Sequence, residues 1–379
     1  MSLAKSQIAI YEHRNHAPIL VPEAPRDMAW AVPQYDRKQV NHAGNCLIAD
    51  PNVIWIANRD QMLNIINNWR SSHIFPLRSF RRTLYSRARA VDSRAVVAQR
   101  MKRLSSIETK LQRFPEMKLT QMQDIGGCRA IVKNMDSLDQ LVKLYKESRS
   151  KNPSTRHEFV NEKQYVACPK DDGYRSVHLV YRYHSDSRKH KVYNDLKVEI
   201  QLRTKLQHAW ATAVETVALF TEQALKSGAG EEKWHRFFAL MSSAIALREK
   251  QPLVPNTPAN KVELTEALRQ AAMELNVAQM MAGWSVALTR VPPRNIIDAV
   301  AYLIVLDTAA QTFNVRGFKV SELEQASEAY LEIEKRTAAN PAIQGVLVSL
   351  DSVHAIRKAY PNYYVDNLAF LQALNFALK

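Results

Sequence analysis

From Tyr165 the chain reads Tyr-Val-Ala-Cys-Pro-Lys-Asp-Asp-Gly-Tyr-Arg-Ser-Val-His178, and after a basic, polar loop it continues Val198-Glu-Ile-Gln-Leu-Arg-Thr204. Val198, Ile200 and Leu202 alternate with Glu199, Gln201 and Arg203, the period of a strand with one apolar and one polar face. Glu199 and Arg203 therefore point the same way, with Gln201 between them. A carboxylate and a guanidinium beside a Pro/Gly loop rich in cations suit a metal ion bound to phosphates. An ordinary half-solvated strand face produces the same pattern.

The 379 residues around this stretch are enough for two or three domains. The apolar run Ala299–Leu306 lies between Asp298 and Asp307 and is too short to span a bilayer, so it reads as a buried strand or short helix. Glu12, His13, Arg14 and several prolines interrupt the first thirty residues, which therefore do not read as a signal peptide. Cys46, Cys128 and Cys168 are far apart and form no C-x-x-C pair, which supports neither zinc nor a disulfide framework and points to a cytoplasmic location. The charge is uneven. Residues 251–379 hold 11 Lys/Arg against 12 Asp/Glu; of the net +15, residues 1–250 therefore carry +16. A polyanion should be drawn to the first two thirds.

Pro18, Pro22 and Pro25 break up the leader, and helical spacing follows in Arg37–Leu47 and Arg59–Trp69. Ten Lys/Arg against Asp92 alone fill the interval from Trp69 to Arg103, a solvated helix face or a phosphate-binding one. On a helix through Arg100–Leu111, Lys102, Ser106 and Lys110 would stack on one face, where like charges repel unless an anion binds. Asp124 precedes a Gly126-Gly127 turn into a strand, Cys128–Val132, that carries Arg129. Asp124 and Glu199 are candidate magnesium ligands, since magnesium is usually held by one or two carboxylates plus phosphates; an Asp124–Arg129 ion pair is the plainer alternative.

Four blocks now stand in order: Arg100-x-Lys102-x-x-x-Ser106-Ile107-x-x-Lys110-Leu111, Asp124-Ile-x-Gly-x-Arg129, Tyr165-x-x-x-Pro169-Lys170-x-x-Gly173-Tyr174-x-Ser176-x-His178 and Glu199-Ile-Gln-Leu-Arg203-Thr204. Together they resemble the synthetase domain of RelA/SpoT-type alarmone synthetases, over roughly Trp69 to Phe220. The resemblance implies an α+β fold, a mixed sheet flanked by helices and related to nucleotidyltransferases. It also implies transfer of pyrophosphate from ATP to a ribose 3′-hydroxyl. Carried over, Asp124 is a magnesium ligand, and Glu199 is the base and second metal contact. Arg100, Lys102, Lys110 and Arg129 hold ATP, while Tyr174 stacks on the acceptor base with His178 and Arg203 beside it. Where the family has a second adenine-stacking Arg, this chain has Lys133. The family's hydrolase half, with its paired His and Asp blocks, is not recognisable before Trp69.

Residues 1–68 thus read as an N-terminal helical region and 69–250 as the pyrophosphokinase domain. Residues 251–260, with three prolines, form a linker, and 261–379 a small second α+β domain. Within 69–250, helices are expected at Thr204–Phe220 and Glu231–Leu247. In the tail, helices are expected at Leu264–Ala282, Ser321–Arg336 and Asp351–Ala359, and strands at Tyr302–Leu306, Phe313–Phe318 and Gly345–Leu350. Tyr360-Pro-Asn-Tyr363 follows. Tyrosines after a helix are ordinarily local core, whereas the functional alternative is a plug for the adenine pocket. A synthetase followed by such a tail resembles the CapRel fused toxin–antitoxin proteins of phage defence. That resemblance implies inhibition by Tyr360 and Tyr363, release by phage major capsid protein, and pyrophosphorylation of the tRNA CCA end. The alternatives are a guanosine tetra- or pentaphosphate synthetase acting on GDP or GTP, and a non-enzymatic RNA- or partner-binding module. No membrane partner is expected.

Overall fold

The computed structural model describes residues 30–49, 59–151, 157–225, 229–278, 281, 301–307, 312–340, 343–349 and 368–379. The Asp351–Ala359 helix, Tyr360 and Tyr363 lie outside the described residues. In chain order the elements are α1 (Arg37–Ile48), α2 (Arg59–Ser72), α3 (Ile74–Val91), β1 (Val96–Met101), α4 (Leu104–Arg113), β2 (Gly126–Val132), α5 (Met135–Lys151), β3 (Glu158–Gln164), β4 (Val177–Arg182) and β5 (Lys197–Thr204). There follow α6 (Lys205–Leu225), α7 (Ala229–Glu249), α8 (Lys261–Glu274), β6 (Ala301–Asp307), β7 (Thr312–Phe318), α9 (Leu323–Ala339), β8 (Ile343–Ser349) and α10 (Leu368–Ala377).

Local chemistry accounts for several boundaries. Asp36 accepts from the Gln39 amide at 2.8 Å while the Gln39 side chain accepts from the Asp36 amide, a reciprocal cap that starts α1. Asn260 accepts from the Val262 and Glu263 amides and opens α8. That helix stops sooner than the sequence suggests, as Asn276 takes a left-handed φ of 48°. The reading of one helix through Arg100–Leu111 is also corrected. Val96–Met101 is a strand, and Arg103 in extended backbone starts the helix only at Leu104. Ile107 and Leu111, one turn apart, bury the inner face of α4.

The strands form one sheet of eight, in the order β3-β4-β5-β2-β1-β8-β6-β7. Only β2 and β5 run parallel; every other described pair is antiparallel. The three tail strands thus continue the sheet of the first domain, joined to it at β1 by the register Gln99↔Ser349 and Arg100↔Val348.

One face of the sheet is dry. Val198, Ile200 and Leu202 of β5 are each 0 % exposed, packed in one core with Leu77 and Leu84 of α3 and Leu138 and Leu141 of α5. Fully burying side chains of this size stabilises by roughly 1.5–3 kcal/mol each. A second core joins α6, α7, α8 and α10 around Trp210, Phe237, Phe238 and Phe370. A third packs α9, through Tyr330 and Ile333, on Leu303 and Phe318.

His73, between α2 and α3, sets a pH limit on this fold. Its ring is 1 % exposed and its Nδ1 lies 2.7 Å from the Trp69 carbonyl oxygen, so Nδ1–H donates. Burial pushes its pKa down to about 4, outweighing that bond. Below pH 6.5 the unfolded chain binds this proton first, so this group's contribution to stability should be flat above pH 6.5 and fall towards pH 4. The loss at this group reaches about 3 kcal/mol. Urea unfolding at pH 7.5 and pH 4.5 should show that loss, and a His73→Gln variant should lack this part of it.

Candidate active site

The alternation of β5 turns Glu199, Gln201 and Arg203 to the face opposite the dry core. The β4 register places His178 opposite Gln201. His178 Nδ1 lies 2.8 Å from Glu199 Oε1, and since a carboxylate only accepts, Nδ1–H donates. Gln201 Nε2 donates to Glu199 Oε2 at 2.7 Å. His178 Nε2 is 2.8 Å from the Tyr174 hydroxyl, which accepts from Arg203 Nη2. Glu199 is thus held on both oxygens, at the head of a chain running back through His178 and Tyr174 to Arg203. Burial works to raise its pKa, but the His178 hydrogen bond and charge prevail and hold the carboxyl below its ordinary value. Tyr174 behaves likewise: burial opposes ionisation, and Arg203 and His178 bring its pKa down to about 8.

Asp124 reaches the same place from the loop before β2. Lys102 Nζ meets its Oδ2 at 2.8 Å and Lys110 Nζ its Oδ1 at 3.0 Å. Burial raises its pKa less than the two lysines lower it, to about 2. Lys102 follows β1 and Lys110 rides on α4. The two cations expected on one helix face therefore meet from different elements, and Asp124 screens their mutual repulsion.

Arg100, Lys102, Asp124, Arg129, Glu199 and Gln201 line one cavity of about 30 Å³. That is room for a small ion or a water. The floor is open because Gly127 faces both Arg100 and Glu199 in register. A Cβ there would meet only the Glu199 carbonyl oxygen, at 3.8 Å. Arg129 does not pair with Asp124 here; its Nε reaches Gln201 Oε1 at 3.4 Å.

The Tyr174 loop is fastened from behind. Gly173 has φ of +91°, and a Cβ would meet Ser242 at 2.9 Å and Trp210 at 3.0 Å, so only glycine fits. Arg175, 2 % exposed, donates to Ser242 Oγ, the Val166 carbonyl and the Pro252 carbonyl. The Tyr174 ring already holds Lys170 at 5.1 Å and Arg203 at 4.9 Å from its centroid.

The structure therefore gathers Arg100, Lys102, Lys110, Asp124, Arg129, Tyr174, His178, Glu199 and Arg203 into one neighbourhood. Other cations of the basic block serve elsewhere. Arg87 stacks on Tyr145 at 4.3 Å, Arg78 lies over Trp30 at 5.4 Å, and Arg70 is 3 % exposed in the interior. Gln201 was missed as a site residue, although its place between Glu199 and Arg203 was the signal. Nothing local in the sequence pointed to the contacts of Arg175 with Ser242 and Pro252.

Among the described residues no three His, Cys, Asp or Glu converge as a metal cage, and no helix is long and apolar enough to cross a membrane. Two carboxylates on one ion-sized cavity do fit a magnesium ion shared with phosphates.

Residues 99–224 match the family described as "Region found in RelA / SpoT proteins". Over 136 residues the chain is 34% identical to GTP pyrophosphokinase YjbM of Bacillus subtilis (strain 168), covering 35% of this chain and 59% of that protein. It is 28% identical over 128 residues to GTP pyrophosphokinase YwaC of the same organism, covering 34% of this chain and 54% of that protein. The chain thus spans little more than half the length of these relatives. Among solved structures, small alarmone synthetase 1 from Bacillus subtilis bound to its product pppGpp aligns over 59% of this chain and 97% of its own, at 23% identity and a TM-score of 0.33. The smu.1046c protein from Streptococcus mutans UA159 aligns over 57% and 98%, at 22% identity and a TM-score of 0.37. Every residue that lines the cavity falls inside the stretch that matches the RelA/SpoT region.

Proposed function

We propose that this protein is a pyrophosphokinase that transfers pyrophosphate from ATP to the 3′-hydroxyl of a nucleotide acceptor. The observation that carries the reading is Glu199, held by His178 and Gln201 on the same small cavity as an Asp124 flanked by two lysines. In this mechanism Lys102 and Lys110 turn from Asp124 to the ATP phosphates, with Arg100 beside the adenine and Arg129 completing the cationic wall. The acceptor base takes a place on the Tyr174 ring, displacing Lys170. Glu199 removes the 3′-hydroxyl proton as that oxygen attacks the β-phosphorus and AMP leaves, the single proton transfer such a reaction needs. Asp124 and Glu199 would hold a magnesium ion, whose contribution is to neutralise charge on the phosphates.

The acceptor we infer is the tRNA CCA end, with the enzyme acting as a translation-blocking toxin of phage defence. In that reading residues 261–379 are its regulatory tail, Tyr360 and Tyr363 the inhibitory pair and phage major capsid protein the activator. The uneven charge supports it, with +16 in residues 1–250 and −1 in the tail, because tRNA is a large polyanion. GDP or GTP is the second reading, favoured by the two similar proteins named GTP pyrophosphokinases. Incubating γ-labelled ATP with the full chain, offering tRNA and GDP/GTP separately, decides between them. Label on tRNA, increased by capsid protein, is expected; label on guanosine nucleotides alone gives the second reading, and no transfer to either rejects the pyrophosphokinase.

A further inference from the structure

The tail is fastened to the ATP half of the site through a buried polar cluster. Arg70 of α2, Tyr330 and Glu334 of α9 are 3 %, 7 % and 9 % exposed. Arg70 Nη2 donates to the Tyr330 hydroxyl at 2.5 Å, and the guanidinium also lies over that ring, 4.9 Å from its centroid. The Tyr330 hydroxyl donates to Glu334 Oε1, and Arg70 Nη1 is 3.9 Å from Glu334 Oε2. Two further bonds lead out of the cluster. Arg70 Nε donates to the Lys102 carbonyl at 3.1 Å, and Glu334 Oε2 accepts from the Leu104 amide at 3.1 Å. Leu104 is the first residue of α4, and the amides of a helix's first turn have no partner within it. Arg103 gives α4 no side-chain cap, so the carboxylate of Glu334 does that work from 230 residues away.

The geometry points to Tyr330 and Glu334 as positioning residues for ATP: the tail helix α9 fixes the Lys102 turn and the start of α4, and so sets where Lys102 and Lys110 stand. This rests on the proposed ATP site and adds a second role for the tail, which builds part of the site as well as restraining it. A negative charge at a helix N-terminus is favourable, and a buried Arg70 without its partners is not, so the linkage has two reasons to hold. Loosening α9 should slacken the donor half of the site and leave Tyr174, on the far side of Glu199, in place.

The test uses the full-length chain and four variants. Glu334→Ala removes the cap, Glu334→Gln keeps an acceptor, Tyr330→Phe keeps the ring over Arg70, and Glu332→Ala, on an exposed position of the same helix, is the control. All are made in a Tyr360→Ala/Tyr363→Ala background, which removes the proposed inhibitory pair, and binding of a non-hydrolysable ATP analogue is measured together with amide hydrogen exchange. For Glu334→Ala we expect about tenfold weaker binding, the ordinary size of coupling between sites. Exchange should be about tenfold faster in the first turn of α4, with no change in the Tyr174 loop. Glu334→Gln should recover part of the affinity, and Glu332→Ala should match the parent. If Glu334→Ala does not fold, Tyr330→Phe carries the same expectations at smaller amplitude. Unchanged exchange in α4, or faster exchange with unchanged or tighter ATP-analogue binding, overturns the proposal. If the parent binds no ATP analogue while α4 still loosens in the variant, the pyrophosphokinase reading fails and the α9–α4 linkage stands without an ATP role.

Discussion

Glu199→Gln should lower kcat for pyrophosphate transfer by about 10³-fold, within the usual range for removal of a general base. The glutamine has the same size and can still accept a hydrogen bond from His178 or Gln201, so the strand and its neighbours stay where they are. The variant loses the negative charge that draws the proton from the acceptor hydroxyl. ATP-analogue affinity should change by less than about threefold, because the cations proposed to hold ATP belong to other elements. Because the His178 contact holds the Glu199 pKa below its ordinary value, the base stays ionised through neutral pH. The acid limb of the wild-type rate should therefore lie below the ordinary carboxylate range and disappear in the variant. Activity of the variant within tenfold of the parent would remove Glu199 from the base role.

Asp124→Asn tests the other carboxylate, and two cations make the expectation specific. In the parent, Asp124 holds both Lys102 and Lys110. Burial already lowers the pKa of Lys102, with Asp124 working against it. Without the carboxylate the two ammonium groups face each other across a partly buried space, which costs stability until an anion arrives. ATP phosphates are such an anion, so ATP should stabilise the variant against heat more than it stabilises the parent. Turnover should nevertheless fall by about 10²–10³-fold, since electrostatic preorganisation at the transferring group is lost. A magnesium titration that raises turnover steeply in the parent should be shallow in the variant. If Asp124→Asn keeps parental turnover, Asp124 is only a structural partner of the lysines.

Much of this site was legible in the sequence because it is built by short-range rules. The two-residue period of β5 put Glu199 and Arg203 on one face, and the same period in β4 carries His178 to that face. Gly173 before Tyr174 marked a turn that only glycine makes. What failed was the helix through Arg100–Leu111. A three- and four-residue spacing of cations carries no information about where a helix starts, and the strand that opens with the small and β-branched residues Val96–Ala98 runs on through Arg100 and Met101. The continuation of the sheet through β8 and the Arg70–Tyr330–Glu334 cluster were hidden for a different reason. They join residues more than two hundred positions apart, and no local pattern records such a pairing. Arg70 looked like one member of a basic block and proved to be a buried anchor.

The pairing of β1 with β8 also sets an order of events while the chain is being made. β1, β2, β4 and β5, with every residue assigned to the transfer step, are complete once Thr204 has left the ribosome. The strand that lies beside Arg100 follows only with Ile343–Ser349. At about 5–20 residues per second the interval is roughly 7–30 s. During that time the edge of β1 is unpaired, and for most of it Glu334 has not yet been made to cap α4. A nascent chain would then hold Asp124 and Glu199 with the Lys102 turn and the start of α4 unbraced, so that on the reading proposed above competence for transfer would arrive together with the tail, beside the ribosome that made both.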